Sequence, residues 1–217
     1  SPETAWATIT KAAQTMVAGD RVYVAPGTYY ETVQPLNFGE PNAWISYIAD
    51  TNARHFPFLP PGPVIISGLD PATALRVRDY GIVVHSYHQT SSSGVTGQFP
   101  RHWIFDGFTI TDVASYAIEL YDHTEFAGFL STPRLVSRVR FCNLRISSAR
   151  LYVYLSSYRF RNTVEGAYHG ITDIVFESCT IDTLDVLIAQ IEPYLSGGSI
   201  GYVIVNAEFY DCDFDTV

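Results

Sequence analysis

The sequence predicts an all-β fold, a parallel β-helix of stacked coils behind a short N-terminal capping α-helix, and three observations carry that expectation. First, the run Phe105-Asp-Gly-Phe-Thr-Ile-Thr111 returns as Phe141-Cys-Asn-Leu-Arg-Ile-Ser147, Phe176-Glu-Ser-Cys-Thr-Ile-Asp182 and Phe209-Tyr-Asp-Cys-Asp-Phe-Asp215. Its leading Phe recurs at steps of 36, 35 and 33 residues, the signature of units that bury their apolar faces only by stacking on one another. Second, short runs rich in Val, Ile and Tyr follow at a nearly constant offset: Gly81 to His85, Tyr116 to Tyr121, Leu151 to Leu155 and Asp185 to Gln190. These read as strands. Third, the repeats hold no amphipathic helix of about 10 residues or more, which argues against βαβ units and leucine-rich repeats. Successive coils then stack as in-register parallel strands about 4.8 Å apart.

Composition sets the outer bounds. The 217 residues suffice for one domain, with residues 1–20 as the cap and 21–217 as about five to six coils. Hydrophobic residues at 47% and aromatics at 14% exclude disorder, and no apolar run approaches the roughly 20 residues of a membrane span. The net charge is −9, with Lys11 as the one lysine. A nucleic-acid partner is set aside, because that affinity comes mainly from Lys and Arg neutralising phosphate.

In chain order, Ile9, Ala12, Ala13, Met16 and Val17 fall at helical spacing and give one apolar face, with Gly19-Asp20 as the stop. Such a helix covers the exposed end of a solenoid core. Arg21 to Val33 then reads as strand, Pro26-Gly27 turn and strand. Two residues after each leading Phe stand Gly107, Asn143, Ser178 and Asp211, turn-formers that tolerate the backbone angles of a tight bend between two sheets. Cys179 and Cys212 occupy the same repeat position as Phe108 and Leu144. With no Cys-x-x-Cys spacing, they read as buried thiols in an internal stack.

The segment from Ile9 through Gly19-Asp-Arg-Val-Tyr-Val-Ala-Pro-Gly-Thr-Tyr-Tyr-Glu-Thr-Val33, with Trp44 to Ala49 and Pro63 to Gly68, resembles the start of secreted right-handed parallel β-helix proteins of the pectate-lyase-like superfamily. The resemblance covers the first 70 residues in motif and the rest in periodicity. It implies an extracellular or cell-surface location and a polysaccharide partner, bound and in some members cleaved by lyase or hydrolase chemistry. Function itself has to come from the site, since one fold hosts many activities.

The extra length of each repeat is placed by the sequence after the second strand, in Asp50 to Pro63, His85 to Arg101, Asp122 to Ser137, Ser157 to Thr172 and Glu192 to Gly201. Insertions at one point of every repeat make a wall beside one sheet. If Ile82, Ile118 and Val153 point inward, then His85, Glu119, Tyr121, Tyr152 and Tyr154 point outward. With Tyr87, His88, Arg161 and Tyr194 from the loops, they form the candidate ligand-binding set for an extended sugar chain. Packing of the loops onto the coil, or a protein interface, is the alternative.

For chemistry, the lyases of the resembled superfamily imply a Lys or Arg base, often with calcium. Lys11 lies in the cap helix, which leaves Arg159 or Arg161. Hydrolases need paired carboxylates about 5 to 9.5 Å apart. Glu119, Asp122 and Glu192 are the candidates, with His123 beside them. Asp182, Asp213 and Asp215 are weak calcium candidates, because the spacing fits no EF-hand or nonapeptide calcium repeat and a solvated acidic face is the favoured reading. The sequence also shows no C-terminal cap after the strand ending near Val217. Either the natural chain continues beyond 217, or the open final coil, Phe209 to Val217, pairs with another protein subunit. A non-catalytic structural subunit of a filament, sheath, tailspike or surface layer, associating with itself through that coil, is therefore the second functional expectation.

Overall fold

The computed structural model describes residues 5–91, 94–98, 101–123, 134–147, 154–158, 168–182 and 202–214. Within these, only the backbone is described for 85–91, 94–98, 121–123, 134–136, 154–158, 168–170 and 202–205. The chain opens with α1 (Ile9–Thr15), β1 (Arg21–Val24) and β2 (Gly27–Tyr29). The next turn holds β3 (Ile45–Ala49), β4 (Val64–Ser67) and β5 (Tyr80–Ser91), followed by β6 (Gly94–Gln98). Then come β7 (Arg101–Asp106), β8 (Phe108–Thr111), β9 (Tyr116–His123), β10 (Arg134–Cys142), β11 (Arg145–Ser147) and β12 (Tyr154–Tyr158). The last described strands are β13 (Tyr168–Glu177), β14 (Thr180–Ile181), β15 (Tyr202–Tyr210) and β16 (Asp213–Phe214).

These strands form a parallel β-solenoid with three sheets. The first runs β1-β3-β7-β10-β13-β15, the second β2-β4-β8-β11-β14-β16 and the third β12-β9-β5-β6. Three consecutive turns contribute a described strand to all three sheets. Each repeat thus holds three strands where the sequence suggested two, because the Phe-led run breaks at its third residue. Gly107, Asn143, Ser178 and Asp211 have φ of 79°, 52°, 55° and 49°, the left-handed bend their residue types predicted. Their N–H groups also stitch neighbouring turns: Gly107 donates to the Cys142 carbonyl at 3.0 Å, Asn143 to Glu177 at 2.9 Å and Ser178 to Tyr210 at 2.9 Å.

The core is a set of vertical ladders. Tyr47, Phe105, Phe141, Phe176 and Phe209 pair in register, with ring centroids 4.8, 5.6, 4.9 and 4.7 Å apart. Each stacked pair adds about 0.5–1.5 kcal/mol beyond the area it buries. Phe108, Leu144 and Cys179 are buried in a second ladder that continues to the half-buried Cys212. All three cysteines are free. Burial raises the Cys179 thiol to about 12, and its Sγ contacts the Phe141 carbonyl oxygen at 3.4 Å.

A second set of left-handed residues lies three positions ahead of the phenylalanines: His102, Arg138 and Asp173, at φ of 61°, 58° and 54°. They bend β7, β10 and β13 at the same height. In the next turn the bend is missing, because Ile171 pairs with Val205 while Ile174 pairs with Ala207, so β15 spans the gap with one residue fewer.

The cap is shorter than its apolar pattern. Thr8 caps α1 by accepting from Lys11 N–H at 3.1 Å, and both Glu31 carboxylate oxygens take the Ile9 and Thr10 N–H groups at 2.8 Å. Negative charge at that end complements the free N–H groups. Ile9, Ala12, Ala13 and Met16 are buried. Val17 is not: the backbone turns extended at Met16, which leaves Val17 55% exposed.

Two of the expected insertions differ from their prediction. Asp50 to Pro63 lies between β3 and β4, at a different corner from the insertions that precede β7, β10 and β13. His85 to Arg101 is not an irregular loop, since β5 continues to Ser91 and folds back on β6 as an antiparallel hairpin.

The Asp50 corner is held by a buried carboxylate. Asp50 Oδ2 accepts from the His55 backbone N–H at 2.6 Å and contacts its Nδ1 at 3.3 Å, and the His55 ring stacks on Tyr23 with centroids 3.6 Å apart. Burial opposes ionisation of Asp50, but the N–H groups of His55 and Arg54 and the His55 ring outweigh it and hold the pKa below its ordinary 3.8. A lowered acid contributes stability that is complete above its unfolded pKa and lost as pH falls through the folded one. Thermal melts across pH are expected to show Asp50→Asn less stable than the parent at pH 6, with the difference closing below about pH 4. A gap that stays constant down to pH 2 would refute the assignment.

Candidate functional site

The third sheet is where the sequence placed the ligand face, and strand register now arranges its residues. Ile82 and Ile118, at 0% exposure, point inward as expected. Parallel pairing sets Val83, Glu119 and Tyr154 in one row across three turns, and His85, Tyr121 and Ser156 in the row two positions along. Asp122 lies between Ser86 and Ser157, and His123 beside Tyr158. Thus Glu119 and Tyr154 are brought together, as are His85 and Tyr121. Tyr87 and His88 are set apart on the antiparallel arm, opposite Gln98 and Gly97. Tyr152, Arg159, Arg161, Glu192, Tyr194 and Asp215 lie outside the described residues, and so does Val153.

Glu119 sits in an unexpected setting. The sequence places it outward on the sheet, and the structure adds that it is sheltered there, only 6% exposed. Tyr80 lies beside it; burial first, then the Glu119 carboxylate, raises that phenol to about 12. Tyr80 therefore remains a neutral hydrogen-bond donor across the physiological range. Tyr80 also stacks on Tyr116, with centroids 5.8 Å apart and planes 22° apart.

Local backbone explains why these rings sit together. Tyr80 pairs with Tyr116 and Ile82 with Ile118. Between them Gly81 faces the core, where an added Cβ would lie 2.5 Å from Ile110 Cγ2 and 2.8 Å from the Ala117 carbonyl oxygen. A residue with no side chain lets β5 press onto β8 there, with the tyrosines flanking the contact. Sequence reading passed over Tyr80 and did not single out Tyr116, although their separation of 36 residues is the step that aligned the phenylalanines.

The arrangement joins two stacked phenol rings to a sheltered carboxylate. Rings offer flat apolar surface with a polar edge, and the carboxylate accepts hydrogen bonds only. That combination suits a ligand with apolar C–H faces and hydroxyl rims.

Among the described residues no group of three or more His, Cys, Asp or Glu is arranged to hold a metal ion. Of the calcium candidates, Asp213 pairs with Thr180, so it sits out of row with Asp182. No helix of the described residues is long and apolar enough to cross a membrane. No protein-family model, curated protein or solved structure matches the chain.

Proposed function

We propose that this is a secreted β-helix protein that binds an extracellular polysaccharide along the outer face of the third sheet. The observation that carries the reading is the Tyr80, Tyr116 and Glu119 cluster, placed beside the in-register rows that hold His85, Tyr121 and Tyr154. A ligand lying across the turns meets a new strand about every 4.8 Å, so a repeating polymer suits the face better than a compact molecule.

Binding is favoured over cleavage on geometric grounds. Glu119 and Asp122 are three residues apart on β9, about 10 Å along an extended strand. That exceeds the roughly 5–5.5 Å of a retaining pair and lies at the outer edge of an inverting one.

The test is affinity electrophoresis of the folded chain in gels containing acidic or neutral polysaccharides, with light scattering on the same sample. Retardation by at least one polymer is expected, and Tyr116→Ala should weaken it about 10-fold, which corresponds to about 1.4 kcal/mol. Tyr80→Phe, which keeps the ring and removes the hydroxyl, should weaken it less. A folded parent that no polysaccharide retards would overturn the reading. If that inert chain also associates end to end, the structural-subunit reading replaces it.

A further inference from the structure

The outer face of the first sheet carries a second feature, separate from the third-sheet face and independent of the function proposed above. Strand register sets Arg21, Ser46, Ile104 and Arg140 in one row across four strands. A groove of about 490 Å³ opens over that row; Ser46 and Ile104 form its floor, Asn42 and Trp44 its side, and Arg21 and Arg140 stand on it from opposite ends of the row.

Both arginines stand apart from the ion pairs seen among the described residues. Arg138 lies 3.9 Å from the Asp173 carboxylate and Arg76 3.5 Å from that of Asp112. Arg21 and Arg140 have no carboxylate within 4 Å among the described residues. The guanidinium of Arg140 instead rests over the Trp44 ring, 5.4 Å from its centroid, which orders a long side chain without consuming its N–H donors. Trp44 is itself fixed, by its indole N–H on the Pro41 carbonyl at 3.2 Å and by the edge-on ring of His102 at 5.2 Å.

The balance of charge makes this pairing unusual for the molecule. The chain has 22 acidic and 13 basic residues, yet among the described residues none that lines the groove is acidic. Asp20, next to Arg21, is turned to the end of the cap helix, where its Oδ2 takes the Val17 N–H at 2.8 Å. Two cations with no carboxylate within 4 Å among the described residues, one of them held by an aromatic face, give a site complementary to negative charge.

We infer that this groove binds an anionic group, a carboxylate, sulfate or phosphate, between Arg21 and Arg140. Arg140 supplies a planar fork of donors, Arg21 the second charge, and Asn42 a neutral amide at the rim. Trp44 is a positioning residue, acting by holding the Arg140 guanidinium.

The experiment is a titration of the ¹⁵N-labelled chain with inorganic phosphate, sulfate and glucuronate, with glucose as the neutral control. Saturable shifts at the Trp44 indole and the Ser46 and Ile104 amides are expected for the anions and not for glucose. Glucuronate binding more tightly than phosphate would identify an acidic sugar as the source of the charge; the reverse order would identify a phosphorylated ligand. Arg140→Gln and Arg21→Gln should each weaken binding about 10-fold. Arg140→Lys should recover only part of the loss, and Arg145→Gln, an exposed arginine on the second sheet, should change nothing. Added salt should weaken binding. The inference is overturned if the folded parent shows no saturable shift with any anion, or if Arg145→Gln costs as much as Arg140→Gln.

Discussion

Replacing Phe141 by alanine is expected to cost about 4 kcal/mol of stability, the range for deleting a buried aromatic ring from a core that cannot collapse around the space. Phe141 has 0% exposure and stacks on Phe105 above and Phe176 below. The ladder spacing is set by backbone hydrogen bonds between strands, so neighbouring turns cannot close over the gap. Phe209 is only partly buried, at the last described rung, and the same substitution there should cost about half as much. Denaturant unfolding of the two variants checks the contrast. Equal losses would mean that the rungs are not supported from both sides as described. In a solenoid, stability is close to a sum over turns and their contacts, so Phe141→Ala should also broaden the transition as the halves on either side of the fault begin to melt separately.

Gly68→Ala is expected to destabilise the protein by about 3 kcal/mol, the upper end of the usual overpacking range. An added Cβ would meet the Asp112 carbonyl oxygen and lie 2.6 Å from Val113 Cα. Both obstacles are backbone, and the Gly68 N–H holds them in place through its 3.1 Å bond to the Thr111 carbonyl. Gly107→Ala is the instructive comparison. Its φ of 79° costs a side chain roughly 1 kcal/mol, but a Cβ would approach no closer than 3.3 Å to Ala49 Cβ. Gly107→Asn should be nearly neutral, since Asn143 already occupies the equivalent bend and its Nδ2 donates to Asp106 Oδ1 at 2.7 Å. Thermal melts of the three variants give the order, and a Gly68→Ala protein as stable as the parent would show that the corner is free to move.

The legible part of the fold was the part with constant spacing. Phe105, Phe141, Phe176 and Phe209 announced their stack because each turn repeats the same burial at nearly the same step. Tyr47 belongs to that ladder and was missed. It precedes Phe105 by 58 residues, because the Asp50 corner and the β5–β6 hairpin together displace the next rung. The left-handed bends were readable from Gly, Asn, Ser and Asp. That at Arg138 was not, since arginine does not mark such a conformation, and the bend at His102 was not singled out. At the candidate site, alternation along β9 placed Ile118 inward and Glu119 outward but gave no sign that Glu119 is sheltered. What shelters Glu119 comes from pairing between turns, which no single strand reveals. The Arg21 and Arg140 groove was invisible for the same reason: 119 residues separate its two charges, and only the stacking of four strands puts them on one row.

The bend shared by His102, Arg138 and Asp173 and absent from β15 bears on how such a chain changes length. Between Ile171 and Ile174 three steps of backbone cover what β15 covers in two, while Phe176 and Phe209 keep their pairing. The molecule thus contains the long and short versions of the same corner side by side. A one-residue insertion or deletion there is absorbed outside the aromatic ladder, which makes this height of the first sheet the place where a descendant could gain or lose a residue without shifting the rungs above and below.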